Sequence, residues 1–145
     1  TYRNPARQPL EILHPQGAPM PVGVAAAHVQ VVLLDGSWRE TSAMAQELSA
    51  QARLVSLPMA GESRYWLRAQ ADRNRFSTVE ALLFLLGELG LSAAREETWR
   101  QFELHVYANL RARGHKELAE AFLETSPVPA AFPELLAQLN VSRPI

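Results

Sequence analysis

The sequence predicts an α/β domain whose largely parallel sheet is flanked by helices, and two observations carry that prediction. Short apolar runs at Val29–Leu34 and Arg53–Leu57 bracket a stretch of helical spacing, and a strand, helix, strand unit with short connections builds a parallel sheet. From Ser77 onward helical periodicity dominates. The length of 145 residues and the 48% apolar content fit one domain, residues 1–145, able to bury a core of its own.

Residues 1–8 carry Arg3, Pro5 and Arg7 with no apolar period and are expected to form a connecting segment. Leu10–Leu13 fits a short strand, and His14–Pro19 a loop, because Pro15, Gly17 and Pro19 deny both helix and ladder hydrogen bonds. A weak segment at Val22–Ala27 leads into Val29–Leu34, which lacks polar alternation and is expected to be a strand buried on both faces. Asp35 then stands at the carboxyl end of that strand. Gly36 permits a tight turn, Ser37 is a good N-cap, and from Trp38 the residues Thr41, Met44, Ala45 and Leu48 recur at helical spacing. Pro58 ends the next strand, Arg53–Leu57.

Ser77 with Glu80 three residues on is a capping box, and Val79, Leu82, Leu83, Leu86 and Leu89 form the expected buried face of the helix it opens. Gly90 ends that helix. A second helix from Ser92 to Arg113 carries Trp99, Phe102, Val106 and Leu110 on one face, and a third covers Lys116–Glu124 after Gly114. Both are expected to pack on the sheet. Pro127, Pro129 and Pro133 break the pattern that follows, leaving only Glu134–Leu139 for another helical turn or two.

Composition narrows the function. Fifteen acidic against fourteen basic residues leave no overall basic field, so a nucleic-acid partner has to meet a local patch. There is no cysteine, which excludes disulfides and thiolate metal sites within this chain and suits a reducing cytoplasm. His14, His28, His105 and His115 show no metal-ligand spacing and are expected to be ordinary surface or core residues, so no metal site is expected. No stretch is long and apolar enough to span a membrane, and the chain carries neither a GxxxxGK phosphate loop nor a Ser-His-Asp arrangement. Because the first residue is Thr1, a trimmed N-terminus is expected.

In open α/β sheets ligands bind outside the carboxyl ends of the strands, which puts Asp35 and Trp38 where chemistry is expected. Two simpler roles fit the same residues: Asp35-Gly36 as a turn with a cap, and Trp38 as a core residue. A second feature is the interleaving of Arg64, Tyr65, Trp66, Arg68, Arg73 and Arg75. Arginine pairs with phosphates in a fork and aromatic faces stack on unpaired bases, so this stretch fits single-stranded or looped RNA. It fits a solvated face balanced by Glu62 and Asp72 as well. The start of the Ser77 helix offers free amides to a carboxylate or phosphate, although capping alone explains Ser77 and Glu80.

Three motifs agree in order and spacing with one family. Leu33-Leu-Asp-Gly-Ser-Trp38 followed by Ala43-Met44, then Val55-Ser-Leu57 with Ser63-Arg-Tyr-Trp-Leu-Arg68, then Phe76-Ser-Thr-Val-Glu-Ala81, resemble the DTW-domain proteins, which include the tRNA-uridine aminocarboxypropyltransferases. Ser37 is a mild departure, shared with similar ribosomal RNA enzymes. The resemblance implies a SPOUT-like knotted α/β domain that cradles S-adenosylmethionine and transfers its 3-amino-3-carboxypropyl group to N3 of a tRNA uridine, releasing methylthioadenosine. It implies Asp35 as the catalytic base, made more basic by burial, with Leu34, Trp38, Ser77 and Thr78 near the cofactor. Arg39, Arg64, Tyr65 and Arg68 are the implied RNA contacts. Family members often begin with a cysteine-rich zinc-binding segment, which this chain is expected to lack. Two other functions fit a similar scaffold: a methyltransferase that releases S-adenosylhomocysteine, and a non-catalytic RNA-binding module.

Overall fold

Strand β1 (Leu10–Pro19) lies between β2 (Gln30–Leu33) and β3 (Ala52–Ser56), and both pairings are parallel. The computed structural model describes residues 10–21, 29–68 and 76–141. The expected connecting segment 1–8, the weak segment 22–27, His28, Asp72, Arg73 and Arg75 lie outside those residues.

The mixed α/β class and the parallel sheet are as expected, but the order of burial differs. Gln30–Leu33 is an edge strand of the described sheet and only half-buried, whereas Leu10, Glu11 and Ile12 of β1 are buried. An apolar run signals a strand without fixing its place in the sheet, and the polar Glu11 disguises β1 as peripheral. Glu11 is tolerated in the middle because Arg53 stands opposite it on β3 and forms an ion pair with it.

The expected loop His14–Pro19 is instead an excursion within β1. Leu13 and Ala18 both register with Val55, so residues 14–17 bulge out of the ladder before β1 resumes. Pro15 lies in the excursion and Pro19 at the strand end, where a missing amide does little harm. Gly17 lies so close to β3 that an added Cβ would stand 2.5 Å from the Val55 backbone nitrogen and carbonyl carbon.

The chain divides into two compact units, Thr1–Gly61 with Phe76–Ser92, and Glu62–Arg75 with Ala93–Ile145. The first holds the sheet, α1 (Trp38–Leu48) and α2 (Thr78–Glu88). On α2 the buried residues are Glu80, Leu83 and Leu85; Val79, expected inside, is exposed, and Leu82, Leu86 and Leu89 are half-buried. The run Leu82-Leu-Phe-Leu-Leu86 is apolar all round, so periodicity has too little contrast to define a face.

The second unit gathers α3 (Ser92–Ala112) from Ala93 onward, α4 (Lys116–Leu123), α5 (Val128–Ala131) and α6 (Pro133–Leu139). Phe102, Val106, Tyr107 and Leu110 of α3 are buried, as are Ala119, Phe122 and Val128, while Trp99 is half-buried. The unexpected turn α5 forms because Pro129 falls in its first turn and Pro133 opens α6, positions that need no intrahelical amide. No helix among the described residues is long and apolar enough to cross a membrane.

Candidate functional site

The three parallel strands aim their carboxyl ends the same way, and a cavity of about 250 Å³ opens there within the first unit. Leu13 and His14 of β1, Leu33 and Leu34 at the end of β2, and Leu57 and Met59 beyond β3 contribute its strand side. Trp38 and Thr41 of α1, with Phe76, Ser77 and Thr78 at the start of α2, complete the lining.

Asp35 follows directly on that strand end. Its Oδ1 accepts a hydrogen bond from the Thr78 hydroxyl at 2.5 Å, joining two motifs 43 residues apart in sequence. The carboxylate is exposed, not buried as expected, since Asp35 lies beyond the last ladder residue of β2. Gly36 turns the chain at φ +138°, and the helix begins two residues later.

Both helices start with the same device. The Ser37 amide donates to Glu40 at 2.7 Å and the Ser77 amide to Glu80 at 2.9 Å, and each serine hydroxyl accepts from its glutamate's backbone amide at 3.3 Å. The backbone and side-chain hydrogen bonds from Ser37 hold the Glu40 carboxyl below the usual carboxylate range. The amides of the first helical turns, Thr78 and Val79 among them, have no acceptor within their own helix, and the dipoles make these ends electropositive. The turn-and-cap description of Asp35-Gly36-Ser37 is therefore correct as far as it goes. Trp38 is no core residue: it is 64% exposed and its ring lies 6.1 Å from that of His14, tilted by 42°.

His14, expected to be unremarkable, thus belongs to the site. It follows the Leu10–Leu13 strand as directly as Asp35 follows its own, so the rule that singled out Asp35 applied to it equally.

The structure brings Leu34, Asp35, Trp38, Ser77 and Thr78 together in the first unit, with Arg39 exposed on α1. Arg64, Tyr65 and Arg68 belong to the second. There Arg64 is a correction to the expected RNA surface. Its Nε and Nη2 donate to the two carboxylate oxygens of the buried Glu103 at 2.8 and 2.9 Å, Nη1 donates to Thr125 Oγ1, and the guanidinium lies 3.9 Å from the Phe122 ring. A buried glutamate needs a forked cation, and the sequence could not show that Glu103 of α3 is buried against Arg64. Tyr65 is half-buried and stacks on Phe102, and Arg68 is exposed, 6.0 Å from the Tyr65 ring.

A parallel sheet with a mostly apolar cavity at its carboxyl ends, rimmed by a carboxylate and a helix N-terminus, is the arrangement in which open α/β sheets commonly place a ligand. The chain belongs to the DTW domain family, whose model matches residues 2–122. Membership is consistent with a tRNA-modifying enzyme. No curated protein and no solved structure gives a significant match.

Proposed function

We propose that this protein transfers the 3-amino-3-carboxypropyl group of S-adenosylmethionine to N3 of a uridine in tRNA, with release of methylthioadenosine. The observation that carries the reading is the Asp35–Thr78 hydrogen bond at the rim of the cavity, inside the stretch matched by the family. Uridine N3 holds its proton well above neutral pH, so attack through N3 needs an acceptor at hand, and an oriented carboxylate is one. Thr78 holds Asp35 by one oxygen and leaves the other for the substrate proton.

The lining suits the cofactor's chemistry. Leu13, Leu33, Leu34, Leu57 and Phe76 offer apolar surface to a nucleoside, and the amides opening α2 favour a carboxylate, as the methionyl part carries. When bound, S-adenosylmethionine supplies an alkyl carbon activated by its own sulfonium leaving group. The protein's task is then to orient the two reactants, and Leu34, Trp38, Ser77 and Thr78 are the residues assigned to the cofactor side. Ser77 acts through its place at the helix start, since its hydroxyl is engaged by Glu80.

Arg39, Tyr65 and Arg68 are proposed as RNA contacts, and Arg64 acts behind them by holding Glu103. A SPOUT-like knotted arrangement and a cytoplasmic setting belong to the same reading, supported by family membership and by a chain without cysteine. Chromatography of the small-molecule products after incubation with S-adenosylmethionine and unmodified tRNA tests the proposal. Methylthioadenosine is expected; S-adenosylhomocysteine would make the protein a methyltransferase, and RNA retention with neither product would make it a binding module.

A further inference from the structure

Transfer through N3 leaves a charge problem that Asp35 does not solve. As the uracil N3 gives its proton to the Asp35 carboxylate and its electron pair to the alkyl carbon, the carbon–sulfur pair departs with sulfur. Negative charge builds meanwhile on the pyrimidine carbonyl oxygens. A preorganised N–H or O–H donor aimed at such an oxygen stabilises that charge.

Most side-chain donors around the cavity have spent their hydrogens inside the protein. The Thr78 hydroxyl donates to Asp35, the Thr41 hydroxyl to the Trp38 carbonyl at 3.1 Å, and the Ser77 hydroxyl to Glu80 at 3.0 Å. Two ring nitrogens remain among the described residues that line the cavity: those of His14 and Trp38.

His14 is the better prepared of the two. Its Nδ1 accepts the Gln16 backbone amide at 3.1 Å, so Nδ1 carries no hydrogen in this arrangement and the proton of the neutral ring sits on Nε2. Nε2 has no partner among the described residues. The bulge that presents the ring is anchored where Gly17 meets the Val55 backbone, and the Trp38 ring flanks it. The Gln16 amide thereby sets the tautomer, and the Trp38 ring stands beside the imidazole.

We infer that His14 is a second catalytic residue, donating its Nε2–H to a carbonyl oxygen of the target pyrimidine as Asp35 removes the N3 proton; the inference rests on the aminocarboxypropyl-transfer reading. The test measures transfer to unmodified tRNA and S-adenosylmethionine affinity for the wild-type chain, His14→Phe and His14→Gln. Phenylalanine keeps a ring without a donor, and glutamine places an N–H near the Nε2 position.

His14→Phe is expected to lower kcat by on the order of 100-fold, as loss of one such donor does elsewhere, with cofactor affinity unchanged within about twofold. His14→Gln is expected to recover about a tenth or more of the wild-type kcat. The inference is overturned if His14→Phe turns over like the wild type, if His14→Gln is no better than His14→Phe, or if His14→Phe loses cofactor binding. A wild-type chain that makes no methylthioadenosine overturns the transfer reading and this inference together, whereas an active wild type with an active His14→Phe overturns the inference alone.

Discussion

The Thr78 hydroxyl donates to Asp35 Oδ1, so the first residue of α2 holds the carboxylate that follows β2. This one bond ties together two of the three motifs on which the family resemblance rests. It gives the acid a fixed direction although the residue itself is exposed.

Thr78→Val removes that tether while nearly preserving volume. The kcat for transfer should fall about tenfold, because a misdirected base loses productive geometry while substrates still bind. Thr78→Ser should restore most of the rate. Steady-state kinetics on both variants checks this, and equal losses in the two would assign Thr78 a packing role.

Arg64 and Glu103 form a forked pair whose carboxylate is fully buried. Arg64→Met should destabilise the protein by about 3–5 kcal/mol, since it strands an uncompensated charge. Replacing both residues by Met should recover much of that loss. Urea denaturation of the single and double variants measures it; a single variant as stable as the wild type would contradict the structural role.

Glu40 gives the acid side of the stability curve a definite sign. Its carboxyl lies below its ordinary value of 4.5 in the folded state because Ser37 donates to it. Its contribution is therefore complete above about pH 4.5 and is lost as pH falls through the lower folded value. Glu40→Gln should flatten that loss. Denaturation midpoints at a series of pH values between neutrality and the acid limb check it, and an unchanged pH dependence would mean that the α1 capping box does not persist in solution.

Arg39 and Arg68 are exposed, and the proposal has them meet RNA phosphates. Each change to Ala should weaken tRNA binding and lower the slope of log affinity against log salt by roughly one, leaving thermal stability unchanged. Filter binding across a salt series measures both. An unaltered slope would remove that arginine from the RNA surface.

Much of this site is legible in the sequence alone. The corner Asp35-Gly36-Ser37-Trp38 and the box Ser77-Thr78-Val79-Glu80 are local features whose backbone demands appear in the residues themselves. What stayed hidden depended on distant partners. The strand at Leu10–Leu13 was read, but with Glu11 in it its central place in the sheet was not, and Arg64 resembled a surface cation until Glu103 met it. The excursion at His14–Gly17 was invisible for a related reason: prolines and glycine signal a break, but not that the strand resumes four residues later against the same Val55. On α2 the expected face was right at Leu83 and wrong at Val79, because an apolar run with no polar side blurs the face.

The central claim is that Asp35 removes the uridine N3 proton during aminocarboxypropyl transfer, and nucleoside mass spectrometry of tRNA treated with the wild-type chain and with Asp35→Asn tests it most directly. Asparagine keeps an acceptor for Thr78 but is no base. A uridine carrying the aminocarboxypropyl mass is expected in the wild-type reaction, with a rate at least about 100-fold lower in the variant. A methyl gain on the RNA, or an Asp35→Asn variant as fast as the wild type, would contradict it.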